Sequence, residues 1–171
     1  MASNPLDLDR AVIVALGSNL PGDFGSSEAL LEAALVRFPA FGLRVVNRSG
    51  WWRSAAWPDP QGPEYRNGVA IVETTRPSGE VLSGLLDLEI DLGRHRGERN
   101  AARTLDLDLI AYGREVRDEV GLQLPHPRAH ERRFVMGPLA EIAPDWRHPT
   151  LGLHARDLAA TAEVGRDAVR R

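Results

Sequence analysis

Residues 105–109 read Leu-Asp-Leu-Asp-Leu, inside the longer run TLDLDLIAY from Thr104 to Tyr112. Side chains alternate across a strand. Leu105, Leu107 and Leu109 therefore share one face, which belongs in a core. Asp106 and Asp108 share the other, about 7 Å apart. Around this strand the chain falls into a short series of elements. Ala11 to Leu16 (AVIVAL) is a continuous, largely β-branched run, as in a fully buried strand, and Gly17-Ser18-Asn19 is expected to end it in a turn. Ser26 or Ser27 is an N-cap candidate for a helix whose apolar set is Leu30, Leu31, Ala34, Leu35 and Phe38, stopped by Pro39. Leu43 to Arg53 and Tyr65 to Thr74 read as strands. Pro77 and Ser78 open a second helix with the stripe Val81, Leu82, Leu85, Leu88 and Leu92, closed by Gly93 at C′. Leu122 to Leu124 reads as a short strand, and helices are expected at Glu131 to Ile142 and Ala155 to Ala162.

The core order is β-α-β-β-α-β. This predicts an α+β fold: a ferredoxin-like βαββαβ core whose antiparallel sheet is packed by helices, with a C-terminal extension. The length of 171 residues suits one domain spanning 1–171.

Composition removes several chemistries. The chain has no cysteine, so disulfides, thiolate metal sites and cysteine nucleophiles are excluded. It also has no lysine: all 21 basic residues are arginine. Schiff-base chemistry and the lysine-dependent phosphate-binding loop go with it. A net charge of −3 speaks against a globally basic nucleic-acid binder. No apolar run is long enough to span a membrane, and the first ten residues lack the features of a secretory signal. A cytoplasmic location and a monomer are the expectations.

Two carboxylates on one rigid face repel each other and resist burial, and a divalent cation beside them removes both costs. Magnesium suits this, because it takes oxygen ligands and binds through one or two carboxylates plus substrate phosphates. A solvated polar strand face is the plain alternative. The preceding residues shift the balance: Arg94, Arg96, Arg99 and Arg103 stand against Glu98 in the segment leading into the acidic strand. Arginine forks beside metal-binding carboxylates are a recurring arrangement for holding polyphosphate. A solvated basic loop with surface ion pairs is again the alternative. Tyr65-x-Asn67 puts a ring and an amide on one strand face, able to stack on and read a planar heterocycle. At least one of Trp51, Trp52 and Trp57 is expected in the core, and Trp57, beside Pro58 in a polar loop, is the better candidate for a ligand wall. Pro125 and Pro127 hold His126 extended, with Arg132 six positions on. His148 and His154 show no metal spacing.

Four strings together resemble one family: VALGSN (14–19), YRNGVAIVET (65–74), LGRHRGERNAARTLDLDLIAYG (92–113) and LPHPRAHERRFVMGPLAEIAP (124–144). They are similar to 6-hydroxymethyl-7,8-dihydropterin pyrophosphokinase of folate biosynthesis, over roughly residues 10 to 150. The resemblance implies transfer of the β,γ-diphosphate of ATP to the pterin hydroxymethyl group, with release of AMP and in-line attack at the β-phosphorus. It implies two magnesium ions on Asp106 and Asp108, and catalytic roles for Arg94 and Arg103. It also implies ATP contacts from Glu89, Arg96, Leu109, His126 and Arg132. Tyr65 and Phe134 would sandwich the pterin and Asn67 would read its amide edge. Ser54 and Ala56 would add backbone groups, and Trp57 would flank the ring where some members have leucine. Asn100 is the nearest position to a loop tryptophan of some members, and the loop is one residue shorter here. Two other readings use the same residues differently. One is another magnesium-dependent nucleotidyl- or glycosyl-type transferase built on Asp-x-Asp. The other is an RNA-binding module on a ferredoxin-like sheet, which the acidic strand face opposes.

Overall fold

The computed structural model describes residues 7–20, 22–56, 61–93 and 105–171. Its strands are β1 (Val12–Ser18), β2 (Arg44–Arg48), β3 (Trp52–Ser54), β4 (Tyr65–Glu73), β5 (Asp106–Tyr112), β6 (Arg117–Glu119), β7 (Leu122–Leu124) and β8 (Val169–Arg170). Its α-helices are α1 (Ser27–Arg37), α2 (Ser78–Gly93), α3 (Arg133–Ile142) and α4 (Ala155–Thr161). The main sheet runs β5-β1-β4-β3-β8, with β2 also paired to β4, and all these pairings are antiparallel. The mixed α/β architecture and antiparallel sheet are those expected from sequence. β6 and β7 form a separate hairpin.

Local chemistry sets the element ends. Ser26 accepts the Ala29 amide at 3.1 Å and so caps α1. Gly42, at φ 78°, takes the left-handed turn into β2. The expected single strand Leu43–Arg53 is two strands. The Ser49 hydroxyl accepts the Val69 amide at 2.9 Å, and the Ser49 amide donates to the Val69 carbonyl at 2.9 Å. The pairing shifts register between Val45 and Asn47, and Trp51 lies over Gly68, where a Cβ would fall 2.5 Å from the indole. β1 also runs further than expected: Gly17 and Ser18 pair with Asn67 and Arg66 instead of turning away. α3 begins at Arg133, two residues late, because Ala129–Glu131 forms a 3-10 turn.

The sheet is covered on both faces. On one, Val12, Val14, Leu16, Ala70, Val72, Leu105, Leu107 and Leu109 pack with Leu30, Leu31, Leu85 and Leu88 of α1 and α2. On the other, Ile13, Ala15, Val69, Ile71 and Ile110 pack with Val135, Met136, Leu139 and Leu158 of α3 and α4. This explains why β1 is apolar throughout. Trp51 and Trp52 are half-buried, and the fully buried indole is Trp146. Among the described residues no helix is long and apolar enough to cross a membrane.

His148 sits beneath the second face, 5% exposed, with its ring edge-on to Trp146 and His130. Its Nδ1 faces the amides of Thr150 at 3.3 Å and Leu151 at 3.1 Å, so it must be an unprotonated acceptor. Burial, with His130 and Arg114 nearby, lowers its pKa to about 4. The neutral ring thus stabilises the fold fully above the unfolded value near 6.5, and that contribution is lost as pH falls toward 4. Urea unfolding should show His148 costing on the order of 2 to 3 kcal/mol across this window. In His148→Asn, which keeps an acceptor oxygen at the Nδ1 position, the slope should flatten; an unchanged slope would exclude His148 as its source.

Candidate active site

One rung of the sheet organises the site. Gly17 of β1 pairs with Asp106 on one side and Asn67 on the other, and Asn67 pairs in turn with Trp52. Two residues along β1, on the same face, Ala15 pairs with Asp108 and Val69. Paired residues point the same way, so the two carboxylates and the Asn67 amide face the α3 side, one strand apart. Two strand spacings put the backbones of Asp106 and Asn67 about 10 Å apart. Glycine at position 17 keeps the rung low: a Cβ there would lie 3.1 Å from Asn67 Oδ1.

A cleft of about 370 Å³ opens over this rung. Its floor is Ala15, Leu16 and Gly17; Asp106 and Asp108 line one side, and Ser54, Ala55, Tyr65 and Asn67 another. The segment leading into α3 supplies Arg128, Glu131 and Arg132, and α3 itself Phe134 and Val135. The Asn67 Nδ2 group donates to Ser54 Oγ at 3.0 Å, which fixes the amide plane. The Arg132 guanidinium lies 5.8 Å from the centre of the Phe134 ring. Burial, with Asp106 close by, raises the Tyr65 pKa, so the phenol stays protonated at neutral pH.

A second cleft opens on the far side of Asp108, lined by Leu82, Asp108, Leu109, Leu122, Leu124, His126 and Pro127 among others. β5 is the edge of the main sheet, and this cleft runs along it. The His126 amide donates to the Ile110 carbonyl at 2.8 Å, and its Nδ1 accepts the Arg128 amide at 3.2 Å. Glu89 of α2 is buried at 5% exposure, and its Oε1 accepts the Leu107 amide at 3.4 Å. Asp108 lines both clefts.

The structure thus brings Ser54, Tyr65, Asn67, Asp106, Asp108, Arg132 and Phe134 to one cleft, and Leu109 and His126 to its neighbour. Glu89 stands behind β5, among the lining residues of neither cleft, and Ala55 lines the cleft where Ala56 was expected. Arg94, Arg96, Asn100, Arg103 and Trp57 lie outside the described residues. Sequence reasoning assigned no site role to Gly17, Ala55, Val135 and Val164, and placed Arg128 and Glu131 in the cluster around His126 and Arg132 without giving them one. Gly17 was within reach, because a glycine ending an apolar strand marks a close approach as well as a turn. Val164 carries no such signal.

Among the described residues, no group of three or more histidine, aspartate or glutamate side chains is arranged to hold a metal ion. Asp106 and Asp108 offer two carboxylates, leaving other positions to ligand oxygens or water. That donor set fits magnesium and not a tetrahedral zinc site.

A sequence model of the 7,8-dihydro-6-hydroxymethylpterin-pyrophosphokinase (HPPK) family matches residues 13–144. The 2-amino-4-hydroxy-6-hydroxymethyldihydropteridine pyrophosphokinase of Synechocystis sp. is 42% identical over 144 residues, 84% of this chain and 71% of the relative. The protein of the same name from Pseudomonas aeruginosa is 38% identical over 151 residues, 88% of this chain and 91% of the relative. In fold, the chain is similar to the crystal structure of wild-type Plasmodium falciparum HPPK-DHPS with pteroate, at a TM-score of 0.63 and 11% identity. That likeness covers 88% of this chain and 42% of the Plasmodium chain.

His126 gives the geometry a direct check. Burial lowers its pKa, the Asp108 carboxylate opposes this, and Arg132, Arg128 and His130 reinforce it. In Asp108→Asn the opposing charge is gone, so NMR titration of the His126 ring should move to lower pH than in the wild type. A move upward would mean that Asp108 does not face this ring.

Proposed function

This chain belongs to the 7,8-dihydro-6-hydroxymethylpterin-pyrophosphokinase family, and we propose that it transfers the diphosphate of ATP to 6-hydroxymethyl-7,8-dihydropterin in folate biosynthesis. The observation that carries this reading is the shared rung: a carboxylate pair and a ring-and-amide wall open into one cleft, with a second cleft meeting it at Asp108. The first cleft would take the pterin. Tyr65 and Phe134 would hold its faces, and Asn67, with its plane set by Ser54, would meet its donor–acceptor edge. The second cleft would take the nucleoside, with Leu109 and His126 on its wall and Arg132 toward the phosphates. Glu89, behind β5, would act on the nucleoside side through the strand it supports.

In the reaction the hydroxymethyl oxygen attacks the β-phosphorus in line, and the bond from that phosphorus to the oxygen bridging to the α-phosphorus breaks. AMP leaves with that oxygen, and the hydroxyl proton is released. Asp106 and Asp108 would hold magnesium, two ions on this reading. When bound, it supplies charge neutralisation for the phosphates and Lewis acidity at the reacting oxygens. The protein's share is to fix the two substrates in line and to offset charge. Arg94, Arg96 and Arg103, outside the described residues, would contribute guanidinium forks to the phosphate chain. The reading takes 1–171 as one pyrophosphokinase domain, acting as a monomer in the cytoplasm. Another transferase built on Asp-x-Asp would need an acceptor wall other than Tyr65, Asn67 and Phe134.

The test is to incubate the protein with ATP, magnesium and the pterin, and to separate the nucleotide products. AMP with a pterin diphosphate is expected; ADP would mean transfer from the γ-position and a wrong assignment. Asp108→Ala should lower turnover on the order of a thousandfold with unfolding unchanged, and near wild-type activity would remove the metal role. Arg103→Ala should lower kcat more than it raises the KM for ATP; a change confined to that KM would place the arginine in ground-state binding alone.

A further inference from the structure

The family match ends at residue 144, yet the chain beyond α4 returns to the cleft. Val164 lines it, beside Arg132 and Phe134. The Val164 amide donates to the Glu131 carbonyl at 2.9 Å, and its carbonyl accepts the Arg133 amide at 2.9 Å, so Val164 is clamped on both sides of Arg132. Gly165, at φ 70°, lies against Phe134: a Cβ there would be 2.5 Å from the ring. Two residues on, Asp167 Oδ2 accepts the Ala55 amide at 2.6 Å, and Ala55 lines the opposite wall. The segment then pairs as β8 with β3, the strand that leads into Ser54 and Ala55. Arg170 closes on Glu141 of α3 at 3.3 Å, and Glu141 also accepts the Gly50 amide at 2.7 Å and the Trp52 indole at 3.0 Å.

One stretch of nine residues therefore ties two walls of the acceptor cleft together. One wall is the start of α3, with Arg132 and Phe134. The other is the end of β3, with Ser54 and Ala55. These walls are about 80 residues apart in sequence, and β3 meets α3 at Trp52, whose ring lies over Gly137 and whose indole donates to Glu141 at 3.0 Å. A charge-assisted hydrogen bond to a backbone amide is among the stronger ways to fix a loop end. Asp167 applies one at the residue where the chain leaves the sheet.

We propose that the C-terminal segment Glu163–Arg171 is a working wall of the acceptor cleft, in which Val164 bounds the flat heterocyclic acceptor and Asp167 is a positioning residue that holds the Ala55 backbone against it. This rests on the pterin reading of that cleft. Asp167 touches no reacting atom. It acts through Ala55, so its removal weakens acceptor binding and leaves the nucleotide cleft alone.

The experiment compares Asp167→Ala, Asp167→Asn and Val164→Ala with the wild-type chain, measuring KM for 6-hydroxymethyl-7,8-dihydropterin, KM for ATP, kcat and the melting temperature. Pterin affinity is followed separately by quenching of tryptophan fluorescence, which needs no turnover. In Asp167→Ala the pterin KM should rise about tenfold while the ATP KM stays within about twofold. Asp167→Asn, which keeps an acceptor oxygen for the Ala55 amide, should recover most of the loss. Val164→Ala should raise the pterin KM by about threefold. Equal changes in both KM values, or no change in the pterin KM of Asp167→Ala and Val164→Ala, overturns the proposal and leaves the functional reading standing. If Asp167→Ala does not fold, Val164→Ala decides the matter by the same split. A wild-type chain that neither binds nor turns over the pterin overturns the functional reading, and this assignment of the wall with it.

Discussion

The register of β1 against its two neighbours is the constraint on which the site depends. Gly17 meets Asn67 in one ladder and Asp106 in the other. A slip of one residue in either ladder would turn the slipped strand over. Asp106 and Asp108 would then point at α1 and α2, and Leu105, Leu107 and Leu109 at the cleft. The leucine face prevents this, because all three are buried against the α1–α2 layer. Burying each is worth about 2 kcal/mol, so the misregistered arrangement would lose several such terms and bury two carboxylates as well. The apolar half of β5 thus keeps the polar half in place.

The two faces of the sheet divide the work. The α1–α2 face is covered along its length by leucine, valine and phenylalanine side chains. On the α3–α4 face, apolar cover stops near Ala15 and Val69, and beyond them the strands carry Asp106, Asp108, Asn67 and Tyr65. α3 enters over this transition. The residue capping its start, Arg132, and Phe134 in its first turn face the cleft, and its later residues supply Met136 and Leu139 to the core. The geometry of the cleft is therefore set by ordinary core packing a turn away, which is how a site is held rigid without being buried.

Much of this was legible in the chain because the decisive elements have strong periods. The Leu-Asp alternation gave the faces of β5, and the run Tyr65 to Thr74 gave β4. The helix bounds followed from Ser26 and from the leucine stripe of α2. What was missed lacks periodicity. The break between β2 and β3 depends on a serine bonding across to Val69 and on an indole laid over a glycine, contacts between residues about 20 apart. β8 is two exposed residues long and depends on pairing with β3, more than a hundred positions earlier. Val164 is a single half-buried valine between Glu163 and Gly165. The match of Ala55 in place of Ala56 to the cleft turns on how the chain leaves β3, which composition does not encode.

The protonation states around the clefts bear on how the chemistry is shared. Burial and Asp106 push the Tyr65 phenol up, so it holds its proton throughout the neutral range. Burial pushes the His126 imidazole down, and its Nδ1 already accepts an amide, so it is neutral there too. Neither ring exchanges a proton near pH 7, and with no cysteine or lysine in the chain two other candidates are missing altogether. The charges that remain are carboxylates and guanidiniums. A site built this way favours positioning and charge neutralisation over proton transfer by a protein side chain. For the proposed reaction, in which a weakly acidic hydroxyl meets a highly charged phosphate chain, offsetting that charge is the larger demand, and in this cleft it would fall to Arg128, Arg132 and a cation held by Asp106 and Asp108.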